Sequence, residues 1–158
     1  MTILERLRRG VATKSAEETR HLAADFAATL PVDATVALRG DLGVGKTTFV
    51  QGLARGFGIE ADVTSPTFTV YTLYRAPASR SATGGAAVTL VHLDAYRLGT
   101  PAEMDALMVE DFLTTPYCLA VEWPDKISDW LPKDTHWLSL EIAADGRHRL
   151  RLRGQGTS

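Results

Sequence analysis

The chain has 158 residues, the length of one domain and enough to bury a hydrophobic core. A formal net charge of -2 excludes a surface that attracts nucleic acid or anionic lipid over its whole extent. The single cysteine, Cys118, excludes an internal disulfide, and we expect it to be buried. No apolar run reaches the roughly 20 residues of a membrane helix, so we expect no membrane association and a cytoplasmic location.

The first predicted element is a helix that follows Ser15. Ser15 and Glu18 have the spacing of a capping box. Behind them Leu22, Phe26 and Leu30 recur every fourth residue. This pattern predicts an amphipathic helix that ends before the next proline.

A strand, a glycine-rich loop and a second helix follow in immediate succession. Residues 34–40 (ATVALRG) predict a short buried strand, and residues 40–49 read GDLGVGKTTF. After the loop, Phe49, Leu53 and Phe57 again recur every fourth residue and predict a helix. The loop therefore lies between a strand and a helix, which is the context that a phosphate-binding loop requires.

The rest of the chain alternates between strands and short helical segments. Further strands are predicted at 67–75, 88–94, 117–123, 136–142 and 147–153, and a helix, broken once, at 101–113. The last two strands flank Asp145-Gly146 and predict an antiparallel hairpin. We expect one α/β domain of the P-loop NTPase type, in which helices flank a mixed, mostly parallel sheet.

This prediction divides the chain into a domain and three peripheral segments. The domain spans residues 15–153, after an extension at 1–14. Residues 76–87 (APASRSATGGAA) predict a flexible, exposed insertion within it. Residues 154–158 predict a frayed tail.

The loop fits the pattern G-x-x-x-x-G-K-[ST], in which backbone amides surround phosphate oxygens. Lys46 is expected to reach the β- and γ-phosphates, and the Thr47 hydroxyl to bind Mg²⁺. The expected nucleotide contacts are Asp41, Leu42, Gly43, Val44, Gly45, Lys46, Thr47 and Thr48. The alternative is a chance match in a glycine-rich turn, which the flanking strand and helix argue against.

Two acids end apolar strands, as the acid near Mg²⁺ does in many nucleotide hydrolases. Asp94 ends VTLVHLD and Glu122 ends CLAVE. One of them can hold Mg²⁺ through water while the other orients or deprotonates the attacking water, and the two roles stay open. The alternative for each acid is a solvated carboxylate at a strand end.

Two further features bear on the nucleotide. Residues 64–68 (TSPTF) are either a segment that senses the γ-phosphate or an ordinary turn fixed by Pro66. The chain contains no asparagine, so it lacks the Asn-Lys-x-Asp signature of many guanine-nucleotide switches. This favours ATP over GTP.

Five stretches occur in a characteristic order. They are SAEET (15–19), GDLGVGKTTF (40–49), VTSPTFTV (63–70), HLDAYR (92–97) and VEWP (121–124). Together they resemble the bacterial TsaE (YjeE) family, the ATPase needed to make threonylcarbamoyladenosine in transfer RNA, from about Ser15 to Arg153. The resemblance implies binding of ATP and Mg²⁺ and work in a complex with TsaB and TsaD, which brings the chain to transfer RNA indirectly.

The resemblance also implies roles for individual residues. Thr47 and Glu122 would lie at Mg²⁺, and Asp94 would take the acid role of the H-x-D motif. Trp123 matches the family's Glu-Trp pair, with core packing as the alternative.

The resemblance further implies that Thr67 lies in the nucleotide-sensing loop, Arg147 near the nucleotide and Ser15 at its other edge. The arginines at 147, 149, 151 and 153 alternate with other residues, so they share one strand face. The arginines beyond Arg147 either meet TsaD, TsaB or transfer RNA, or form the solvated face of an edge strand.

The expected function is ATP binding and hydrolysis that permits repeated turnovers of the transfer RNA modification machinery. The alternatives are a small-molecule P-loop kinase and an adaptor that binds ATP without hydrolysis. The insertion, with Arg80 as its one arginine, makes a poor kinase lid. We expect slow hydrolysis by the chain alone, because no arginine is evidently placed as a finger and Arg97 is the nearest candidate.

Overall fold

The architecture is a seven-stranded sheet between two helical layers, in a computed structural model that describes residues 1–66, 70–77, 87–98 and 100–154. The strands in these ranges are β1 (Val11–Thr13), β2 (Ala34–Arg39), β3 (Tyr71–Arg75), β4 (Thr89–Asp94), β5 (Tyr117–Glu122), β6 (His136–Ile142) and β7 (His148–Arg153). The helices are α1 (Ile3–Arg9), α2 (Ala16–Ala27), α3 (Lys46–Gly56) and α4 (Pro101–Ala106), with 3₁₀ turns at Val109–Phe112 and Pro124–Ile127.

The sheet has a parallel centre and antiparallel edges, in the order β1-β7-β6-β2-β5-β4-β3. Strands β6, β2, β5 and β4 are parallel, whereas β1, β7 and β3 pair antiparallel to their neighbours. Central strands are apolar on both faces because helices cover both. The predicted α/β class and the closing hairpin of β6 and β7 are confirmed.

One helical layer consists of α2 and α3, which pack together and against the sheet. The rings of Phe26 and Phe49 lie 5.9 Å apart, centroid to centroid. Both were predicted on the apolar faces of their helices, and both are fully buried. Ser15 caps α2, since its hydroxyl accepts from the Glu18 amide at 3.1 Å. The Glu18 carboxylate, however, accepts from the Lys14 amide, so the predicted reciprocal bond to Ser15 is wrong.

The other layer is formed by α4 and the two 3₁₀ turns, and it covers β2, β5 and β4. Met104 and Ile127 from this layer pack with Val91 and Leu119 of the sheet. Met108 has a left-handed backbone with φ 53°, which separates α4 from the 3₁₀ turn that follows. The predicted break in the helix is confirmed. Cys118 is buried in the core, as expected, and burial raises its thiol pKa to about 12.

The N-terminal residues contribute elements that the sequence pattern did not reveal. Leu7 of α1 is completely buried, and Val11–Thr13 pair with β7. Therefore β1 borders β7 from His148 to Leu150, and the edge-strand interpretation is wrong for Arg149, whereas Arg151 and Arg153 lie beyond this pairing. The predicted start of the domain at residue 15 stays a prediction, although β1 joins residues 11–13 to the sheet.

Some expectations fall on residues outside the described ranges. These are Thr67, the part of the insertion at 78–86 with Arg80, and the tail at 155–158. Among the described helices, none has the length and apolar character that crossing a membrane requires.

Candidate functional site

The glycine-rich loop connects the end of β2 to the first residue of α3, as predicted. Gly40 has φ 155°, and a Cβ atom there would lie 2.6 Å from the carbonyl oxygen of Leu140. Gly45 precedes the helix with φ 102°, a left-handed conformation that glycine adopts without strain. The loop thus approaches β6 closely and presents the N-terminus of α3, where unpaired amides favour an anion.

Lys46 holds a positive charge in a nearly buried position, because its side chain folds back over the loop. Its residue is 4% exposed, and Nζ donates to the Gly40 carbonyl at 2.5 Å. The same Nζ lies 3.2 Å from the ring centroid of Trp123. Burial lowers the lysine pKa, and the nearby carboxylates of Glu122 and Asp94 oppose this shift. The ammonium group donates to a neutral carbonyl here, and a charged acceptor in the cavity would form a stronger hydrogen bond with it.

Glu122 is the centre of a buried polar group at the end of β5. Its two carboxylate oxygens accept from the Thr47 hydroxyl at 3.2 and 3.1 Å. One of them also contacts His92 Nε2 at close range. His92 is completely buried, and its Nδ1 has no hydrogen-bond partner among the described residues. The contact of the glutamate with the loop threonine excludes the solvated-carboxylate interpretation of Glu122.

Asp94 lies directly beside Glu122, since the two are paired in the parallel register of β4 and β5. One of its carboxylate oxygens accepts from the Tyr96 amide at 2.9 Å, and the side chain is only partly buried. In the described ranges no three His, Cys, Asp or Glu residues are grouped as for a metal held by protein alone. The two acids that end apolar strands in the sequence are therefore neighbours at the carboxyl ends of β4 and β5.

These groups line one cavity of about 310 Å³. Its lining residues are Leu42, Gly43, Gly45, Lys46, Thr47, Thr48, Ser65, Asp94, Glu122 and Trp123. Most of the predicted site residues thus share a single space, and Ser65 lies in the same lining. Asp41 and Val44 belong to the loop but not to this lining. Val44 points into the core and is 6% exposed, whereas Asp41 is exposed.

Trp123 connects several of these groups. Its backbone is left-handed, with φ 58°, and this conformation begins the 3₁₀ turn after β5. Its ring contacts Tyr96 at a centroid distance of 5.2 Å and Lys46 on the cavity side. The ring therefore contacts the loop lysine directly rather than serving only as core packing.

His148 is a site residue that the sequence reasoning missed. It is the first residue of β7, and its Nδ1 is 2.7 Å from the Val44 carbonyl oxygen of the loop. A Cβ atom on Gly45 would lie 3.4 Å from the same nitrogen. The alternation in 147–153 contained the signal, because it placed His148 on the inward face with Leu150.

Ser15 and Arg147, the two more distant predictions, lie apart from the described lining of the cavity. The Ser15 hydroxyl caps α2. The Arg147 guanidinium is half-exposed, with Nε 3.6 Å from a carboxylate oxygen of Asp145. Their contact with a nucleotide stays a prediction, as does that of Thr67.

The loop between a central parallel strand and a helix, with a lysine, a threonine and two strand-end acids in one cavity, defines an α/β protein of the P-loop NTPase type. A sequence model of the family described as threonylcarbamoyl adenosine biosynthesis protein TsaE matches residues 13–151. The chain belongs to the TsaE family.

Similar proteins support this assignment along most of the chain. A Treponema pallidum protein named tRNA threonylcarbamoyladenosine biosynthesis protein TsaE is 31% identical over 140 residues, which cover 89% of this chain and 96% of the relative. A Bacillus subtilis protein of the same name is 34% identical over 144 residues, covering 91% and 84%. The crystal structure of Bacillus subtilis YdiB matches with a TM-score of 0.71 and 30% identity, covering 93% of this chain and 85% of that one. The resemblance identified from the motifs is confirmed.

Proposed function

We propose that this chain is the ATP-binding and ATP-hydrolysing component of the machinery that makes threonylcarbamoyladenosine at adenosine 37 of transfer RNA. In this proposal it acts in the cytoplasm with TsaB and TsaD and permits repeated turnovers. One observation carries the hydrolytic part: Lys46, Thr47 and Glu122 converge in one cavity at the N-terminus of α3. The names of the relatives support the role in transfer RNA modification.

The residues present fit MgATP. Oxygen ligands suit Mg²⁺, which is usually bound by one or two carboxylates together with substrate phosphates. Thr47 and Glu122 supply such oxygens in mutual contact, and Asp94 supplies a second carboxylate beside them. The absence of a three-residue cluster in the described ranges agrees with this mode, in which phosphate completes the ligand set. When bound, Mg²⁺ would neutralise charge on the phosphates.

The protein's own groups then have distinct tasks. Lys46 transfers its hydrogen bond from the Gly40 carbonyl to phosphate, where two opposite charges strengthen it. The Trp123 ring covers one side of the ammonium group and limits its contact with water. Asp94 and Glu122 share the tasks of holding the metal and orienting or deprotonating the attacking water. Their neighbouring positions allow either division of roles.

The proposal includes slow hydrolysis by the chain alone. Among the described residues that line the cavity, Lys46 is the one cationic side chain and no arginine is present. Arg97 is exposed and lies outside this lining. An arginine that stabilises the transition state contributes about 10³–10⁵ in rate. We therefore expect a partner protein to complete the site.

The direct test measures ATP hydrolysis by the purified chain, alone and with TsaB and TsaD, while threonylcarbamoyladenosine in transfer RNA is quantified in parallel. We expect the partners to stimulate hydrolysis and modification to continue over many turnovers. High turnover without partners would contradict the incomplete site. If the partners change neither quantity, the proposed role in modification is wrong, even if the chain binds ATP.

A further inference from the structure

An open face of the sheet carries a concentration of arginines, on the side of β7 opposite to the one that contacts the nucleotide loop. It lies where β1, β7 and β6 extend beyond the second helical layer, and it forms a shallow cavity of about 330 Å³. We call it the arginine face and define it by Arg9, Ser139, Glu141, Arg149, Arg151 and Arg153. The MgATP site just described does not use it.

The arginines form a regular row because β7 alternates between its two faces. Leu150 and Leu152 point into the core, whereas Arg149, Arg151 and Arg153 are exposed. Alternate residues of a strand are about 7 Å apart, so the three charged groups follow the strand at even intervals.

Two contacts hold this row in place. Arg153 Nε donates to the Ser139 hydroxyl at 3.2 Å, and Arg151 Nε donates to the Arg8 carbonyl at 3.2 Å. Each contact uses only the Nε–H group of its guanidinium. The remaining N–H donors of a guanidinium form the planar fork that binds phosphate oxygens in pairs.

The positive charge of this face is not neutralised within the described part of the chain. Four arginines line the face, and Glu141 is the one carboxylate among the lining residues. None of the four guanidinium groups takes part in an ion pair with a described residue. Because the whole chain has a net charge of -2, this positive region is local. Protection of a sheet edge does not explain Arg149, because β1 pairs with β7 from His148 to Leu150. Arg151 lies beyond this pairing, where it contacts the Arg8 carbonyl of α1.

We propose that the arginine face binds the phosphate backbone of the transfer RNA substrate directly, an inference that rests on the proposed function. Phosphate contacts position a protein on nucleic acid without reading its sequence, and arginine suits them. An interface with an acidic protein would be expected to contain apolar anchors at its centre. The apolar residues that also line this cavity are Gly10 and Ala12, which are too small to act as such anchors, and this favours RNA over protein as the occupant.

The strand that carries the row also reaches the nucleotide loop, but on its other face. His148 contacts the loop from the inward face, and Arg149 follows it on the outward face. RNA on the arginine face would therefore lie beside the nucleotide site and not in it. We expect RNA affinity to be unchanged by loss of the loop lysine in Lys46→Ala.

The test is fluorescence anisotropy of a labelled, unmodified transfer RNA transcript with the full chain over a series of KCl concentrations. We expect Arg149→Glu/Arg151→Glu to bind at least about tenfold more weakly and with a salt dependence shallower by about one logarithmic unit or more. Arg75→Glu is the matched control for the single variant Arg151→Glu, because both change the net charge equally and Arg75 is exposed at the opposite edge of the sheet. Glu141→Gln should bind more tightly than the wild type, since it removes the one opposing charge.

Three outcomes would overturn the inference. They are no binding by the wild type at low salt, equal loss in Arg75→Glu, and unchanged binding by the double variant. If the double variant binds RNA normally but no longer associates with TsaB and TsaD, the face is a protein interface instead. Transfer RNA modification, assayed on the same preparations, separates this inference from the proposed function. If the wild type fails to support modification but binds RNA through its arginines, only the proposed function is wrong. If it supports modification without such RNA binding, only this inference is wrong.

Discussion

His92 and Glu122 are joined by a buried hydrogen bond between the imidazole Nε2 and a carboxylate oxygen. The histidine is completely buried, and the glutamate is 4% exposed. The same carboxylate accepts from the Thr47 hydroxyl, so the bond from β4 fixes the orientation in which Glu122 meets the loop. The His92 imidazole acts on the site through this glutamate, which makes it a positioning residue.

Replacing His92 should therefore affect both folding and metal-dependent binding. His92→Leu removes one of the two donors to a buried carboxylate oxygen and leaves the Thr47 hydroxyl as the other, which we expect to lower the free energy of unfolding by about 1–3 kcal/mol. His92→Gln retains an N–H donor and should recover part of that loss. Urea unfolding measures the stability, and ATP affinity with Mg²⁺ and with EDTA measures the effect on the site.

The positioning role predicts that the affinity lost in His92→Leu is confined to the measurements with Mg²⁺. Equal losses with Mg²⁺ and EDTA would show that His92 acts only through general stability. No loss of stability would show that the bond to Glu122 contributes little to the fold.

The sequence predicted the groups of the site that depend on strand ends and on a local motif. The loop and the acids Asp94 and Glu122 follow from apolar runs that end on polar residues, and parallel strands bring such ends together. The contacts of His92 and His148 were not predicted, because each interacts with a residue distant in sequence. A strand pattern can show that such a side chain points inward, as it does for His148, but tertiary packing decides which residue the side chain meets.

The same limit applies to the fold. Helix α1 and strand β1 span only seven and three residues, too short for a periodic pattern. Their stability comes from pairing with β7 and from burial of Leu7, both of which are long-range contacts. Helices α2 and α3 were predictable because each is long enough to show its apolar face.

Glu122→Gln distinguishes hydrolysis from a switch that only binds ATP. The amide keeps a similar shape but cannot act as a base, so we expect hydrolysis with TsaB and TsaD to fall about 10²–10⁴-fold. ATP binding in EDTA should persist. Repeated modification of transfer RNA should stop after the first turnovers. Normal multiple-turnover modification by this variant would favour the non-hydrolysing adaptor.

Thr47 should matter through its hydroxyl, which contacts both oxygens of Glu122. Thr47→Ala removes this group, and we expect it to abolish the increase in ATP affinity that Mg²⁺ provides. Thr47→Ser is the matched control, because it retains the hydroxyl and should retain that increase. Calorimetric titration with and without Mg²⁺ compares the three proteins. Equal behaviour of the alanine and serine variants would exclude a role for the hydroxyl at the metal.

Lys46 predicts a pH dependence of nucleotide binding. Burial lowers its pKa in the free protein, whereas phosphate charge in the complex favours the protonated form. Binding then takes up a proton, so affinity should fall as the pH rises through the lowered pKa, before an ordinary lysine would titrate. Affinities measured over a series of alkaline pH values below 10.5, the usual lysine pKa, test this, a range in which arginine stays charged. Lys46→Arg, whatever its affinity, should show no such fall.

Gly52 predicts a packing requirement between α2 and α3. A Cβ atom there would lie 2.5 Å from both the Ala23 Cβ atom and the Arg20 carbonyl oxygen. Alanine has the higher helix propensity by about 1 kcal/mol, but overpacking costs about 1–3 kcal/mol and involves backbone that cannot easily move. We expect Gly52→Ala to lower the free energy of unfolding in urea. Gly154→Ala, where an added Cβ meets no atom within 4 Å, should leave it unchanged. A gain in stability for Gly52→Ala would mean that the two helices separate at little cost.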